Sequence, residues 1–208
     1  MNSVHFNGND FLVPATRFRG NKKVAIELDG LLQNFRDASE IGLHLGCGTV
    51  LFPGITNCDL HNPAAEKQLD STDLSEFSDR SVCLIESHHM LEHLSFDEAK
   101  VALAEWRRVL KPGGLLVLTC PDLSAVCRLW LQLKSKREST DERAIEEVNY
   151  VLKMFYGSQE NEGMFHKSGY DAPFMRRFLG ESDFEVLYSH TPYQIRTTPS
   201  LLTIAVRQ

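Results

Sequence analysis

The sequence predicts a single α/β domain with a doubly wound, mostly parallel sheet that has helices on both faces. The chain has 208 residues, 42% of them apolar, which is enough for one core. Short apolar runs closed by turn residues recur from Ile41 onward. One of these runs is followed by an amphipathic helix, a Pro-Gly-Gly turn and another apolar run, which is the pattern of a βαβ unit.

Residues 1–40 carry few structural signals, and we expect an N-terminal extension that packs on the core. Residues 31–36 have the apolar spacing of a short amphipathic helix. The first residues lack the basic and apolar pattern of a secretory signal, and no apolar run approaches the roughly 20 residues that span a bilayer. We therefore expect a cytoplasmic protein that does not enter a membrane.

From Ile41 onward, strands and helices alternate within a domain at 41–208. Buried strands are predicted at 41–45, 55–58, 82–85 and 115–119, and two more at 184–188 and 201–206. The clearest helix begins at Ser95, with Glu98 as its capping-box partner, and it ends before Pro112-Gly113-Gly114.

The second half of the domain contains a predicted inserted segment at about 136–180. A helix is expected at 123–134, and another near Ser139 with Glu142 as its capping partner. Residues 156–170 are polar and irregular, and Asp171 is expected to cap a short helix. An insertion of this kind is a natural cover for a pocket, so we expect residues 150–170 to contact a substrate.

The charge and the cysteines exclude several classes of protein. Lys and Arg number 22 against 28 Asp and Glu, a net charge of −6, which argues against nucleic-acid binding because phosphate contacts need basic side chains. The five cysteines include no C-x-x-C pair, so reduced thiols are expected rather than disulfides or a zinc knuckle. No metal site is predicted.

Two motifs at strand ends suggest a nucleotide-like ligand. Gly46-Cys47-Gly48 follows the first predicted strand, where glycines let the backbone approach a ligand closely. Asp59 follows the second strand, where a carboxylate can bind a ribose diol through two hydrogen bonds.

Further along, the chain contains Asp70-Ser71, then Leu91-Glu92-His93-Leu94, then Arg108-Val109-Leu110-Lys111-Pro112-Gly113-Gly114. With these pieces in this order, residues 41–122 resemble the class I S-adenosylmethionine-dependent methyltransferases. The closer resemblance is to small predicted methyltransferases that have the Leu-Glu-His-Leu segment and the Arg-Val-Leu-Lys-Pro-Gly-Gly turn. Residues 160–190 resemble them more loosely. The resemblance implies a Rossmann-like sheet of seven strands and S-adenosylmethionine as cofactor.

The resemblance also implies a role for individual residues. Gly46, Cys47 and Gly48 would pass the methionine portion of the cofactor. Asp59 would bind the ribose hydroxyls and Leu60 would lie against the adenine, while Asp70 and the N–H of Ser71 would read the adenine edge. Ser87, just past the strand at 82–85, would lie beneath the sulfonium. Simpler roles stay open, since Asp70 can cap a turn and Ser87 can end a strand.

The chain departs from the family after the glycine loop. Only residues 49–54 separate Gly48 from the strand at Ile55, whereas a parallel crossover normally takes a dozen or more. Six extended residues reach about 20 Å, which suffices for a crossover without a helix. Either Arg17 or Arg19 replaces the missing helix N-terminus at the cofactor carboxylate, or cofactor affinity is modest.

Methyl transfer to a hydroxyl or ammonium group requires removal of a proton, for which histidine is suited near neutral pH. His89 is the first candidate for this base, followed by His88 and His166. His93 is expected to be a structural hydrogen-bonding residue that is tucked under the sheet. The expected acceptor is a small molecule or a sugar, and the sequence does not predict an oligomeric state.

The sequence leaves three alternatives to a methyltransferase. His89-Met90-Leu91-Glu92-His93 has the H-x-x-E-H spacing of a class of zinc peptidases, but it follows a strand instead of lying on a long helix. A nicotinamide-dependent oxidoreductase needs a third glycine where Leu51 stands. A non-catalytic, methyltransferase-like binding module is favoured by the shortened crossover.

Overall fold

The computed structural model describes residues 41–195 and 198–208. The expected N-terminal extension, with its helix, Arg17 and Arg19, lies outside the described residues. The strands are β1 (Ile41–Leu45), β2 (Thr56–Cys58), β3 (Val82–His88), β4 (Leu110–Pro121), β5 (Phe184–Ile195) and β6 (Thr198–Arg207). The α-helices are α1 (Phe96–Val109), α2 (Leu123–Gln132), α3 (Glu142–Tyr156) and α4 (Ala172–Gly180). Short 3-10 helices are formed by Leu91–His93, Lys136–Glu138 and Glu162–Met164.

The strands form one mixed sheet in the order β2-β1-β3-β4-β6-β5. The first four are parallel, β6 is antiparallel to β4, and β5 is antiparallel to β6. The predicted α/β architecture with a mostly parallel sheet is therefore confirmed. The carboxyl ends of β1, β2, β3 and β4 meet at one edge, which is where such sheets bind their ligands.

A seventh strand was expected, whereas the sheet has six strands in the described part of the chain. At the outer edge of β2, a single residue, Lys67, forms a parallel bridge with Cys58. The residues that follow form turns instead, because the Asp70 carboxylate accepts the N–H of Thr72 and Asp73 accepts that of Ser75. Local bonds of this kind compete with pairing to a neighbouring strand.

The crossover between β1 and β2 contains no helix, as its length predicts. Asn57 on β2 stabilises it with side-chain hydrogen bonds. Its Oδ1 accepts the N–H of Phe52 at 2.8 Å, and its Nδ2 donates to the carbonyls of Phe52 and Ile55 at 2.9 and 3.2 Å. The buried side-chain amide of Asn57 thus stabilises the crossover between β1 and β2.

The main core lies between one sheet face and helices α1 and α4. Helix α1 begins at the predicted capping box, in which Ser95 and Glu98 bond each other's backbone N–H. Its buried stripe includes Leu103 and Trp106, both fully buried. The helix ends at Val109 and passes directly into β4, so β4 begins earlier than the predicted strand.

Residues 136–180, which were predicted to form an inserted segment and keep that name below, contain α3, a long irregular loop and α4. The expected capping pair of Ser139 and Glu142 is wrong, because Asp141 caps α3 by accepting the N–H of Ala144, while Ser139 bonds the N–H of Asp141. Asp171 caps α4 as predicted. No helix among the described residues has the length and apolar character to span a bilayer.

Candidate functional site

The glycine loop follows β1 at the edge where the parallel strands end. Gly46 and Gly48 have φ values of +68° and +52°, which L-residues with a Cβ rarely adopt. A Cβ on Gly48 would meet no atom within 4 Å, so the loop is open on this side. A Cβ on Gly46 would lie 2.2 Å from Cγ of Met90. The loop therefore has open space beside Gly48 and packs tightly at Gly46.

Met90 joins two of the predicted cofactor residues. Its side chain covers Gly46, and the Ser71 hydroxyl lies 3.6 Å from its sulfur. The backbone of Ser71 is fixed from the other side, because Trp106 Nε1 donates to its carbonyl at 2.8 Å. Sequence reasoning missed Met90, although its position two residues after the end of β3 was a usable signal.

Asp59 follows β2 and holds the glycine loop. Its Oδ2 accepts the N–H of Gly48 at 2.8 Å, and its Oδ1 accepts the N–H groups of His61 and Asn62 at 2.8 and 2.9 Å. Burial raises the pKa of this carboxyl, but the three N–H donors outweigh burial and lower the pKa below its usual value. The carboxylate is therefore ionised and links the loop to the turn after β2.

The expected adenine contacts lie beside this turn. Leu60 is 51% exposed, an unusual environment for leucine but one that suits a platform for a flat ring. Asp70 is exposed and bonds both the N–H and the hydroxyl of Thr72, so it caps a turn in this structure. Cys47 is buried, and its backbone N–H and carbonyl bond Cys58 and Val50, so in this structure it supports the loop. These residues and the open glycine loop fit a nucleoside cofactor.

Ser87 lies inside β3, one residue before the strand ends, and not past the strand as expected. The strand continues to His88 because β4 pairs with it as far as Thr119. Ser87 is 1% exposed, and its hydroxyl donates to the carbonyl of Leu45 at 3.1 Å. It thus connects β1 and β3 directly beneath the glycine loop.

His88 belongs to a buried polar cluster on the sheet. Its Nε2 lies 2.9 Å from the Glu86 carboxyl and its Nδ1 lies 3.0 Å from the Thr119 hydroxyl. Burial lowers the pKa of His88 to about 3 and raises that of Glu86 well above its usual value. His44 lies beside this pair, with its ring centroid 5.6 Å from that of His88. A neutral, buried imidazole of this kind is a weak base, which favours a structural role.

His89 follows at the strand end and is the more accessible histidine, with 28% of its side chain exposed. Its φ is +51°, a left-handed conformation that aims the ring away from the strand direction. Nε2 lies 2.9 Å from the Ser200 hydroxyl, and Nδ1 lies 3.2 Å from Oε1 of Glu92. The structure thus pairs His89 with the carboxylate of Glu92. No role was predicted for Glu92 from the sequence.

Glu92 is 1% exposed although it is charged. Burial raises the pKa of its carboxyl, but the neighbouring imidazoles of His89, His93 and His166 outweigh burial and lower the pKa below its usual value. The H-x-x-E-H spacing was the sequence signal for this residue. The segment forms a single 3-10 turn, Leu91–His93, and no long helix, which removes the geometry of the zinc peptidases.

The inserted segment meets Glu92 at a pocket. His166 Nδ1 donates to the carbonyl of Met154 at 2.9 Å, and His93 Nδ1 donates to that of Phe165 at 3.1 Å. Burial lowers the pKa of His166. His93 is thus a hydrogen-bonding residue, but it is partly exposed against the loop at Phe165 instead of tucked under the sheet as expected. The pocket is lined by Glu92, Pro121, Leu123, Val126, Met154, Phe155, His166, Ser168 and Gly169.

Comparison with known proteins identifies the fold. Residues 43–118 match the family model described as a methyltransferase domain. A methyltransferase structure from Methanosarcina mazei is 17% identical, with a TM-score of 0.55 over 85% of this chain and 96% of that one. The search of curated proteins finds no match.

Two further structures of the same fold contain S-adenosylhomocysteine. A toxoflavin-pathway N1-methyltransferase from Burkholderia thailandensis is 13% identical, with a TM-score of 0.56 over 90% of this chain and 77% of that one. The magnesium protoporphyrin IX methyltransferase of Synechocystis is 11% identical, with a TM-score of 0.54 over 90% and 83%. The family match over residues 43–118 and the shared fold both support the resemblance in the sequence to the class I S-adenosylmethionine-dependent methyltransferases.

Proposed function

We propose that this protein transfers the methyl group of S-adenosylmethionine to a small-molecule or sugar acceptor. One observation carries the proposal: a pocket with mostly apolar walls and the Glu92 carboxylate lies after the carboxyl ends of β3 and β4, at the same edge of the sheet as the glycine loop. Structural neighbours named as methyltransferases of 1,6-didemethyltoxoflavin and of magnesium protoporphyrin IX support a small-molecule acceptor.

Gly46, Cys47 and Gly48 would hold the methionine portion of the cofactor, and Leu60 and Ser71 the adenine. Asp59 and Asp70 would contribute hydrogen bonds to the ribose and the adenine edge. When bound, the cofactor supplies a methyl group that is already activated by its positive sulfur. The protein therefore has to align the acceptor and remove its proton.

His89 is the base in this proposal. The Glu92 carboxylate near Nδ1 favours the tautomer that carries its proton there, as in other carboxylate–histidine pairs. Nε2 is then the basic nitrogen, and it lies 2.9 Å from the Ser200 hydroxyl. An acceptor hydroxyl that takes the place of this serine hydroxyl would give its proton to Nε2. His166 would contact the acceptor from the inserted segment.

The first experiment is calorimetric titration with S-adenosylhomocysteine, with nicotinamide adenine dinucleotide as a parallel control. We expect micromolar binding of the first and none of the second. Binding of the dinucleotide alone would favour an oxidoreductase. Binding of neither would contradict the cofactor assignment for the isolated chain.

The role of His89 is tested by His89→Gln once an acceptor has been found. We expect methyl transfer to fall about 100-fold or more, the usual scale for losing a general base. S-Adenosylhomocysteine affinity should stay unchanged, because the predicted cofactor contacts are elsewhere. Full activity in the variant would remove His89 from the mechanism.

A non-catalytic binding module is the second candidate, and one observation favours it. All three backbone N–H groups around Asp59 are already bonded to its carboxylate, so a ribose has to compete with them. A screen of small hydroxyl, amine and thiol acceptors distinguishes the two functions. Cofactor binding without a methylated product from any class would favour the module.

A further inference from the structure

Three ligand-type side chains converge where the inserted segment meets the turn after β3. One ligand atom each from Glu92, His93 and His166 lies within 4.8 Å of the other two. The rings of His93 and His166 are 4.8 Å apart and nearly perpendicular. These residues come from two distant parts of the chain, so the fold brings the group together.

Both imidazoles are oriented as metal ligands are. His93 Nδ1 donates to the carbonyl of Phe165, and His166 Nδ1 donates to the carbonyl of Met154. These bonds fix the tautomer and leave the lone pair on Nε2 of each ring. Histidines that bind metals usually donate their other N–H to a carbonyl or carboxylate in this way.

Glu92 supplies the second, independent observation. Its carboxylate is 1% exposed, and neither oxygen has a hydrogen bond of good geometry among the described residues. Only His89 Nδ1 comes close, at 3.2 Å from Oε1. A buried carboxylate with so little hydrogen bonding is costly unless a positive charge compensates it. A cation beside Glu92 would provide that charge.

We propose that Glu92, His93 and His166 bind one divalent transition-metal ion, with zinc as the first choice. Two imidazoles and one carboxylate are the donor set of zinc and iron sites that keep an open position. Metal–ligand bonds of about 2.1 Å require the ligand atoms to approach each other by roughly 1 Å from their present separation. Small rotations of the two partly exposed imidazoles would bring the atoms together.

The proposed metal site would open toward the pocket, and it would link two distant parts of the chain. Glu92 and His166 also line the pocket, so the open position faces it and can take a water or an oxygen, nitrogen or sulfur of a bound molecule. The ion would join the inserted segment, through His166, to the turn of the central sheet. The inference departs from the expectation of no metal site, and it does not depend on cofactor binding.

The test uses the full chain after removal of metal with a chelator. Zinc is titrated against a chromophoric competitor, and cobalt is titrated while visible absorption is followed. We expect one ion per chain, with affinity reduced about 100-fold in His166→Gln and in Glu92→Gln. His190→Gln is the matched control, because this histidine lies on β5, outside the cluster, and it should bind zinc as the parent does.

Circular dichroism checks that each variant is folded, and S-adenosylhomocysteine titration is run in parallel. Weaker zinc binding with retained cofactor affinity would support the site specifically. The proposal is overturned if the parent protein takes up no stoichiometric zinc or cobalt at micromolar concentrations. It is equally overturned if both cluster variants bind zinc as tightly as His190→Gln does.

Discussion

At the scale of single residues, Asp59 shows how one carboxylate can serve both structure and ligand. Its two oxygens hold Gly48 on one side and the turn at His61 and Asn62 on the other. A ribose that binds here would find an acceptor already charged and oriented. The cost is the exchange of backbone bonds for ligand bonds, which limits the affinity gained.

Asp59→Asn tests this role. The oxygen of the Asn amide can still accept N–H groups on one side. Its NH2 group would then face the N–H of Gly48, which requires an acceptor. We expect affinity for S-adenosylhomocysteine to fall by about 1–3 kcal/mol, or about five- to 150-fold, measured by calorimetry. Asp73→Asn is the matched control, because Asp73 is an exposed turn-capping acid whose partner is Ser75. Equal affinity in both variants would contradict a ligand role for Asp59.

Alanine substitutions at Gly46 and Gly113 distinguish the cost of backbone strain from the cost of steric contact. Both have positive φ, but a Cβ on Gly46 would press on Met90, whereas one on Gly113 would meet no atom within 4 Å. We expect Gly113→Ala to cost about 1 kcal/mol of unfolding free energy and Gly46→Ala roughly 2–4 kcal/mol, measured in urea.

The contact with Met90 is isolated by repeating the change at position 46 in a Met90→Ala background. There the substitution Gly46→Ala should cost little more than Gly113→Ala does, because the crowding atoms are gone. If the cost stays high in that background, the strain arises from the loop backbone alone.

At the scale of elements, β1, β3 and β4 together bury a polar cluster. His44, Glu86, His88 and Thr119 are each no more than 8% exposed. The imidazoles of His44 and His88 have pKa values lowered to about 4 and about 3, with burial as the largest cause. Such histidines stay neutral in the folded protein and become protonated near pH 6.5 when it unfolds. They contribute stability above that pH which is lost as the pH falls toward 3.

His88→Gln measures this contribution. At pH 7.5 the variant should be less stable than the parent, because hydrogen bonds to Glu86 and Thr119 are disturbed. As the pH falls from 6.5 to 4.5, the difference should shrink by up to about 1.4 kcal/mol per pH unit, since only the parent loses the stability of a neutral His88. Thr119→Val is the control, because it removes a hydrogen bond without removing a titratable group. A difference for His88→Gln that stays constant with pH would contradict the assignment.

The helices and strands that could be predicted from the sequence are those with a strong local pattern. The capping box at Ser95 and the apolar stripe through Leu103 and Trp106 define α1, and short apolar runs define the central strands. The cap of α3 was misassigned because three consecutive residues, Ser139, Thr140 and Asp141, all have oxygens that can accept the first N–H groups. Only the packing of the helix selects Asp141.

The candidate site was predictable to a smaller extent. Glycines and acids at strand ends were recognisable because their geometry is set by the strand itself. Met90 and the pairing of His166 with Glu92 depend on contacts between residues far apart in sequence, which spacing does not encode. His88 and His89 are adjacent in sequence, and only the positive φ of His89 separates their environments.

At the scale of the whole molecule, the balance of charge sets the class of partner. The chain has 22 basic and 28 acidic side chains, and its net charge is −6. Repulsion from phosphates is therefore the dominant long-range interaction with nucleic acid.

We accordingly expect no binding of a 20-base-pair duplex or of a single strand at about 150 mM salt, measured by fluorescence anisotropy with micromolar protein. Repeating the titration at about 20 mM salt is the control, because reduced screening would reveal attraction by any local basic patch that the net charge hides. Saturable, salt-sensitive binding would contradict an acceptor that is a small molecule or sugar.

The pairing of Gly157 with Phe165 has a consequence for engineering this protein. The two residues form an antiparallel bridge, and Gly157 packs so closely that a Cβ would overlap the carbonyl of Met164. The ends of the intervening segment therefore already touch. A guest domain with adjacent termini, such as a fluorescent reporter, can be inserted between them at little entropic cost. Because the next residue is His166, such a chimera would place an optical signal one residue from the pocket wall.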